Sequence, residues 1–307
     1  MLSVHARTRS PARIELAELI NLKPAGESIS LTTVRAHAAS SGGHLSPFKG
    51  RGVEFDESRP YEEGDDLRMI DWRVTARTGK PYTKVYREER DRPVIVWLDL
   101  RRPMLFATRG AFKAVRASQA AGLIAWSTVA NGDRLGGLIF TENEHLELRP
   151  RLGRAAALRL FQVLTRSQRW DADLEREEAD AENALTRLTR VARPGSLVFL
   201  LSDFRNLGPS ADRQLRQLAR HCDVYLFHFF DTIERELPPP GRYRITSGGR
   251  TFAIETDSAE ARERYHAQFA ARRERLIEIA GAPSIHLLEC ATTDDPRMVL
   301  AQQFKSR

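Results

Sequence analysis

Val94-Ile95-Val96-Trp97-Leu98-Asp99 is a run of five apolar residues closed by an acid. A strand with one wet face alternates apolar and polar residues. A continuous apolar run of strand length marks a strand covered on both sides, as in a parallel sheet. The pattern returns in Leu197-Val198-Phe199-Leu200-Leu201, followed by Ser202-Asp203, and in Val224 to Phe230, followed by Asp231. Between such runs lie stretches with helical spacing. Ala111 to Ala130 sets Phe112, Val115, Gln119, Leu123, Trp126 and Val129 on one side, and Asn131-Gly132 closes it. Alternation of strand and helix predicts an α/β fold with a doubly wound, mostly parallel sheet and helices on both faces.

Working outward, Leu135 to Phe140 and His145 to Leu148 read as strands, and Leu152 to Thr165 and Ala181 to Ala192 as helices. Ser210 to His221 and Ser258 to Ala280 are further helices. Tyr243–Ile245 and Thr251–Ile254 form a hairpin around Ser247-Gly248-Gly249. Ile285 to Leu288 is the last strand, and Asp295-Pro296 begins a final helix. Ahead of the sheet, Ile14 to Leu22 predicts a short helix ending before Lys23-Pro24, and Tyr82 to Tyr86 a β-like run. The expected division is a partly ordered extension over 1–45, a small β-containing region over 46–93, and the α/β domain over 94–307.

Charge narrows the function classes less than its total suggests. The formal net charge is +7, but only six of the 48 basic residues are lysine, and acids interleave with arginines, as in Arg87-Glu88-Glu89-Arg90-Asp91-Arg92. That describes a mixed-charge surface better than a nucleic-acid stripe. Cys222 and Cys290 have neither CxxC spacing nor a paired histidine nearby, so both read as buried free thiols suited to a reducing compartment. Without a signal-peptide core or an apolar run of spanning length, the sequence predicts a soluble, cytoplasmic protein.

The most specific segment precedes the first buried strand. It reads Gly50-x-Gly52-x-Glu54-Phe55, then Arg59-x-Tyr61-x-x-Gly64-Asp65-Asp66-x-Arg68-x-Ile70-Asp71-Trp72, then Ala76-Arg77 and a strand ending in Glu88-Glu89. This ordered pattern, with Gly132-Asp133-Arg134 after it, strongly resembles the bacterial "domain of unknown function 58" family over roughly residues 45 to 300. The resemblance implies a von Willebrand A-like domain and association with MoxR-type AAA+ ATPases in chaperone-like systems. Physically, the segment reads as a network of arginines among acids that docks this region or forms a partner-binding face.

Domains of that kind often hold Mg²⁺ through Asp-x-Ser-x-Ser at the end of the first strand, a Thr from a later loop, and an Asp from another strand end. Here the first motif is Asp99-Leu100-Arg101-Arg102-Pro103, with arginine and proline in place of both serines. The threonine loop aligns near Trp170 to Leu174, where Ala172 stands for the threonine, and Asp203 matches the second acid. The expectation is a degenerate site with only Asp99 and Asp203 left, and no cofactor. Arg101 would pair with Asp99 or Asp203, or, with Arg102, receive an acidic group from a partner. The proposed contact rim is Asp99, Arg101, Arg102, Asp203, Arg205 and Asp231.

No phosphate loop, HExxH or GxSxG motif is present. The leading expectation is therefore a non-enzymatic interaction protein, an adaptor of a MoxR-type ATPase. Two alternatives stand beside it: a metal-dependent hydrolase using Asp65, Asp66 and Asp71, and an RNA-binding protein using arginines with Trp72, Tyr82 and Tyr86.

Overall fold

A computed structural model describes residues 10–31, 53–62, 64–88, 92–167, 181–247 and 250–304. Along the chain come α1 (Leu16–Asn21), α2 (Lys23–Glu27), β1 (Val53–Pro60), α3 (Trp72–Thr78), β2 (Tyr82–Glu88) and β3 (Pro93–Asp99). Then follow α4 (Lys113–Ala130), β4 (Arg134–Phe140), β5 (His145–Arg151), α5 (Arg154–Arg166), α6 (Ala181–Val191), β6 (Leu197–Ser202) and α7 (Ser210–Ala219). The chain continues with β7 (Asp223–Phe230), α8 (Thr232–Arg235), β8 (Arg242–Ser247), β9 (Arg250–Glu255), α9 (Ala259–Ala280), β10 (Ile285–Ala291) and α10 (Pro296–Gln303). Two compact units result: residues 1–34 with 92–307, and residues 35–91.

In the larger unit a six-stranded sheet runs in the order β10-β7-β6-β3-β4-β5. All neighbours are parallel except β4 and β5. The expected doubly wound, mostly parallel sheet is present, and β3 shows why its strands carry no polar face. Val94, Val96 and Leu98 enter one core with α4, α5 and α10, while Ile95 and Trp97 enter a second core with α6, α7 and α9. Period-2 geometry sends neighbours to opposite faces, and both faces are covered.

The chain builds β3, β4 and β5 outward on one side, then crosses to β6, β7 and β10 on the other. The order therefore reverses between β3 and β6. Beyond the carboxyl ends of those two strands lies the crevice where sheets of this type hold ligands.

The apolar residues of the first helix belong to the large unit, because Leu19 and Leu31 are fully buried there. Trp126 Nε1 donates to Leu19 O at 2.8 Å, and Ser127 Oγ to Ile29 O at 2.6 Å. A Cβ on Gly26 would stand 2.5 Å from the Trp126 Cβ, so only glycine lets α2 lie this close to α4. The short helix expected before Lys23-Pro24 is α1, which ends at Asn21, and a second helix begins at Lys23, where proline in the first turn lacks only an N–H that the helix does not need.

The smaller unit holds an antiparallel pair, β1 with β2, whose backbone register sets Glu54 opposite Arg87 and Phe55 opposite Tyr86. The sequence reading recognised β2 but not β1, whose Val53–Pro60 mixes charge with proline and lacks a clean alternation. The expected hairpin is present as β8 and β9. Gly50, Gly52, Glu89 and the Trp170–Leu174 loop lie outside the described residues.

Candidate functional site

The crevice at the reversal point is filled by the chain's own cations. Asp99 ends β3 and Ser202 ends β6, and Asp203 follows directly. Asp99, Arg101, Lys113, Asp203 and Asp231 are all 0% exposed. Arg101 folds back onto Asp99 with both prongs: Nε donates to Oδ1 at 3.0 Å and Nη2 to Oδ2 at 2.7 Å. The backbone N–H of Arg101 reaches Oδ1 at 3.0 Å, and Ser202 Oγ donates to Oδ2 at 2.7 Å. Asp99 is therefore saturated. The same guanidinium reaches Arg205 O across the crevice at 3.2 Å and lies 5.6 Å from the Phe140 ring centroid.

Lys113 supplies the second cation. It begins α4, and its Nζ donates to Asp203 Oδ2 and to Glu234 Oε1, each at 2.8 Å. Arg205 closes the group from the half-buried side, with Nη2 2.5 Å from Glu234 Oε1 and its N–H donating to Asp203 Oδ1 at 3.1 Å. Burial works to raise the Asp203 pKa, but the Lys113 ammonium and then the Arg205 guanidinium outweigh it and hold it at about 2.

Asp231, at the third strand end, has a different task. Its carboxylate accepts from Thr108 Oγ1 at 2.6 Å, Thr108 N at 2.8 Å, Thr292 Oγ1 at 2.7 Å and Ile233 N at 3.0 Å. Burial opposes its ionisation, and these hydroxyl and amide donors win, leaving its pKa below the ordinary carboxylate value. Glu234 answers by accepting the Asp231 N–H at 3.0 Å, which completes a capping box on α8.

The six rim residues named from the sequence thus separate. Asp99, Arg101, Asp203 and Asp231 are buried and mutually or locally satisfied, Arg205 is half-buried, and Arg102 is exposed. Arg101 does not stand ready for a partner's acid, because its donors already face Asp99 and Arg205 O. Sequence reasoning missed Lys113 and Glu234. A lysine beside Phe112 on the apolar stripe of a helix was one signal, and glutamate three residues after Asp231 was the other.

The divalent-cation site that the resemblance implies does not fit these residues. Mg²⁺ needs several open oxygen donors with room for water. Here the oxygens of Asp99 and Asp203 already face a guanidinium, an ammonium, a hydroxyl or a backbone amide, and two fixed positive charges stand in the way. Among the described residues no three His, Cys, Asp or Glu side chains converge as a metal-holding group.

In the smaller unit the acids proposed for hydrolysis are not brought to one point. Asp65 accepts from Arg59 Nη2 at 2.7 Å and Glu62 N at 3.1 Å. Asp66 caps a 3-10 turn through Arg68 N at 2.9 Å. Asp71 caps α3 through Arg73 N and Val74 N, and accepts Ser58 Oγ at 2.9 Å. Gly64 takes φ +108°, which glycine alone accommodates readily in that turn. Arg68, Arg77 and Trp72 are exposed, Trp72 by 70%, while Tyr61 is half-buried, its N–H bonded to Pro81 O at 3.0 Å.

The family profile described as "Protein of unknown function DUF58" matches residues 57–275. Uncharacterized proteins of Mycobacterium tuberculosis H37Rv and Mycobacterium bovis are each 31% identical over 251 residues, which is 80% of this chain and 78% of theirs. Among solved structures, the conserved hypothetical protein BatB from Bacteroides thetaiotaomicron aligns with TM-score 0.39 at 15% identity, over 62% of this chain and all of its own. An aerotolerance-related membrane protein from Bacteroides fragilis aligns with TM-score 0.36 at 14% identity, again over 62% of this chain and all of its own. Among the described residues no helix is long and apolar enough to cross a membrane.

Proposed function

The chain belongs to the DUF58 family, and on that premise we propose that it is a non-enzymatic interaction protein with a von Willebrand A-like domain, working as an adaptor of a MoxR-type AAA+ ATPase. One observation carries the reading: the ligand crevice of the sheet is closed by Arg101 on Asp99 and by Lys113 between Asp203 and Glu234. A closed crevice leaves no reaction centre there, so the chain acts through exposed surface. Arg102, beside the closed pair, is the exposed charge at that rim. The smaller unit, by itself, exposes Leu67 and Trp72 by 65% and 70%, apolar and aromatic area of the kind that protein contacts favour.

The hydrolase reading loses its support, because Asp65, Asp66 and Asp71 each serve a separate turn or helix end. The test is affinity purification of the full chain from its own organism, beside the Arg102→Glu variant. A MoxR-type ATPase should accompany the unaltered chain and be depleted from the variant. Absence of any such ATPase from both preparations defeats the adaptor assignment.

A further inference from the structure

A second concavity lies away from the closed crevice. It is a cleft of about 270 Å³ between the 204–208 loop and α9. Phe204, Leu276 and Ile279 give it an apolar floor, each no more than 3% exposed. Two arginines border it, and their situations differ. Arg275 is fully engaged: Nε and Nη2 grip Asp212 at 3.0 and 2.6 Å, Nη1 reaches Leu207 O at 2.6 Å, and Nη2 reaches Gly208 O at 2.7 Å. These bonds tie Leu207 and Gly208 to the helix, just after Phe204 and Asn206, whose φ values of 53° and 55° lie in the left-handed region.

Arg272, one turn before Leu276, is different. Its Nη1 is buried and has no hydrogen-bond partner among the described residues. Asp203 and Glu234 attract it from a distance, but Lys113 and Arg205 already hold them at bonding distance. Burial and then the nearby Arg205 cation lower its pKa from the usual arginine value. Arg272 lines the cleft and has no ion-pair partner at bonding distance among the described residues, so its guanidinium offers positive charge there to an incoming anion.

We propose that this cleft captures the C-terminal residue of a partner protein, with its apolar side chain on Phe204, Leu276 and Ile279 and its terminal carboxylate on Arg272. The volume suits one or two residues rather than a larger cofactor, for which about 300–1,000 Å³ is usual. A free carboxylate on the same carbon as an apolar side chain matches Arg272 at the edge of an apolar floor, since the cleft's other arginine, Arg275, is already engaged. An internal acidic residue directs its neighbours' apolar groups elsewhere. The inference rests on the interaction-protein reading and names the chemistry of what is held.

The test is calorimetric titration of the full chain with N-acetyl-leucine, which mimics an apolar C-terminus. Two comparison probes are N-acetyl-leucinamide, which lacks the carboxylate, and N-acetyl-aspartate N-methylamide, which carries it on a polar side chain. The expected result is saturable millimolar binding of N-acetyl-leucine, at least tenfold weaker binding of both other probes, and a tenfold loss in Arg272→Gln. Arg273→Gln should bind as the unaltered chain does, because Arg273 faces Glu289 instead. Equal affinity in Arg272→Gln and the unaltered chain, or no saturable binding of N-acetyl-leucine at all, overturns the proposal. Either failure leaves the Arg102-dependent ATPase test standing, and loss of the ATPase leaves the probe result standing.

Discussion

The crevice beyond β3 and β6 and the motif segment from Ser58 to Lys84 are written in the same letters, arginine and aspartate, and use them oppositely. In the crevice Arg101 and Asp99 are both 0% exposed and joined by two side-chain bonds. In the segment Asp65, Asp66 and Asp71 bond backbone N–H groups of their own turns, and Asp65 also pairs with the half-buried Arg59, while Arg68, Arg73 and Arg77 stand in solvent. The difference lies in desolvation. An ion pair in water contributes about 0–1 kcal/mol. A buried charge stripped of its partner costs about 3–5 kcal/mol. Charge therefore sets the architecture of the crevice, and only local turn geometry in the segment.

The largest expected effect tests the buried half. Lys113→Met leaves Asp203 and Glu234 short of a cation and should lower unfolding free energy in urea by about 3–5 kcal/mol. Arg101→Ala should cost about as much, whereas Arg102→Ala, one residue on and exposed, should stay within about 0.5 kcal/mol. Equal, small losses at positions 101 and 102 would dissolve the contrast.

A smaller effect follows from acid. The Asp203 pKa stands at about 2 in the folded chain against an ordinary 3.8. Its folded value is depressed, so the stability it brings is complete above pH 4 and is lost as pH falls through about 2, to the extent of about 2 kcal/mol. Urea midpoints measured from pH 5 down to pH 2 should show that fall, and Lys113→Met should flatten it. The segment should respond less. Asp71→Ala removes the α3 cap and should lower the melting temperature by less than Arg101→Ala does. Trp72→Ala, at an exposed position, should change stability least of all, within about 0.5 kcal/mol, while weakening partner recovery in the affinity experiment.

The sheet was legible because each central strand is apolar on both faces, and nothing but a two-sided burial accounts for Val94–Leu98, Leu197–Leu201 and Val224–Phe230. Asp99 and Asp203 were legible as acids at strand ends, and Arg101 as a cation two residues after the first of them. The fate of Arg101 was only half legible. Pairing with Asp99 or Asp203 was expected without a choice between them, and the depth at which Phe140, Ser202 and the Arg205 carbonyl enclose it depends on strands brought together from distant sequence. Lys113 was hidden for a related reason. Its partners sit 90 and 121 residues away, and no local pattern links them. β1 was missed because a two-stranded pair tolerates charged and proline residues that a covered strand excludes.

The most direct measurement is calorimetric titration of Mg²⁺ into the unaltered, full-length chain at neutral pH. With Arg101 and Lys113 occupying the acids, the heats should match dilution alone up to millimolar Mg²⁺. A saturating isotherm with a micromolar dissociation constant, abolished by Asp99→Asn, would contradict the closed crevice on which the account stands.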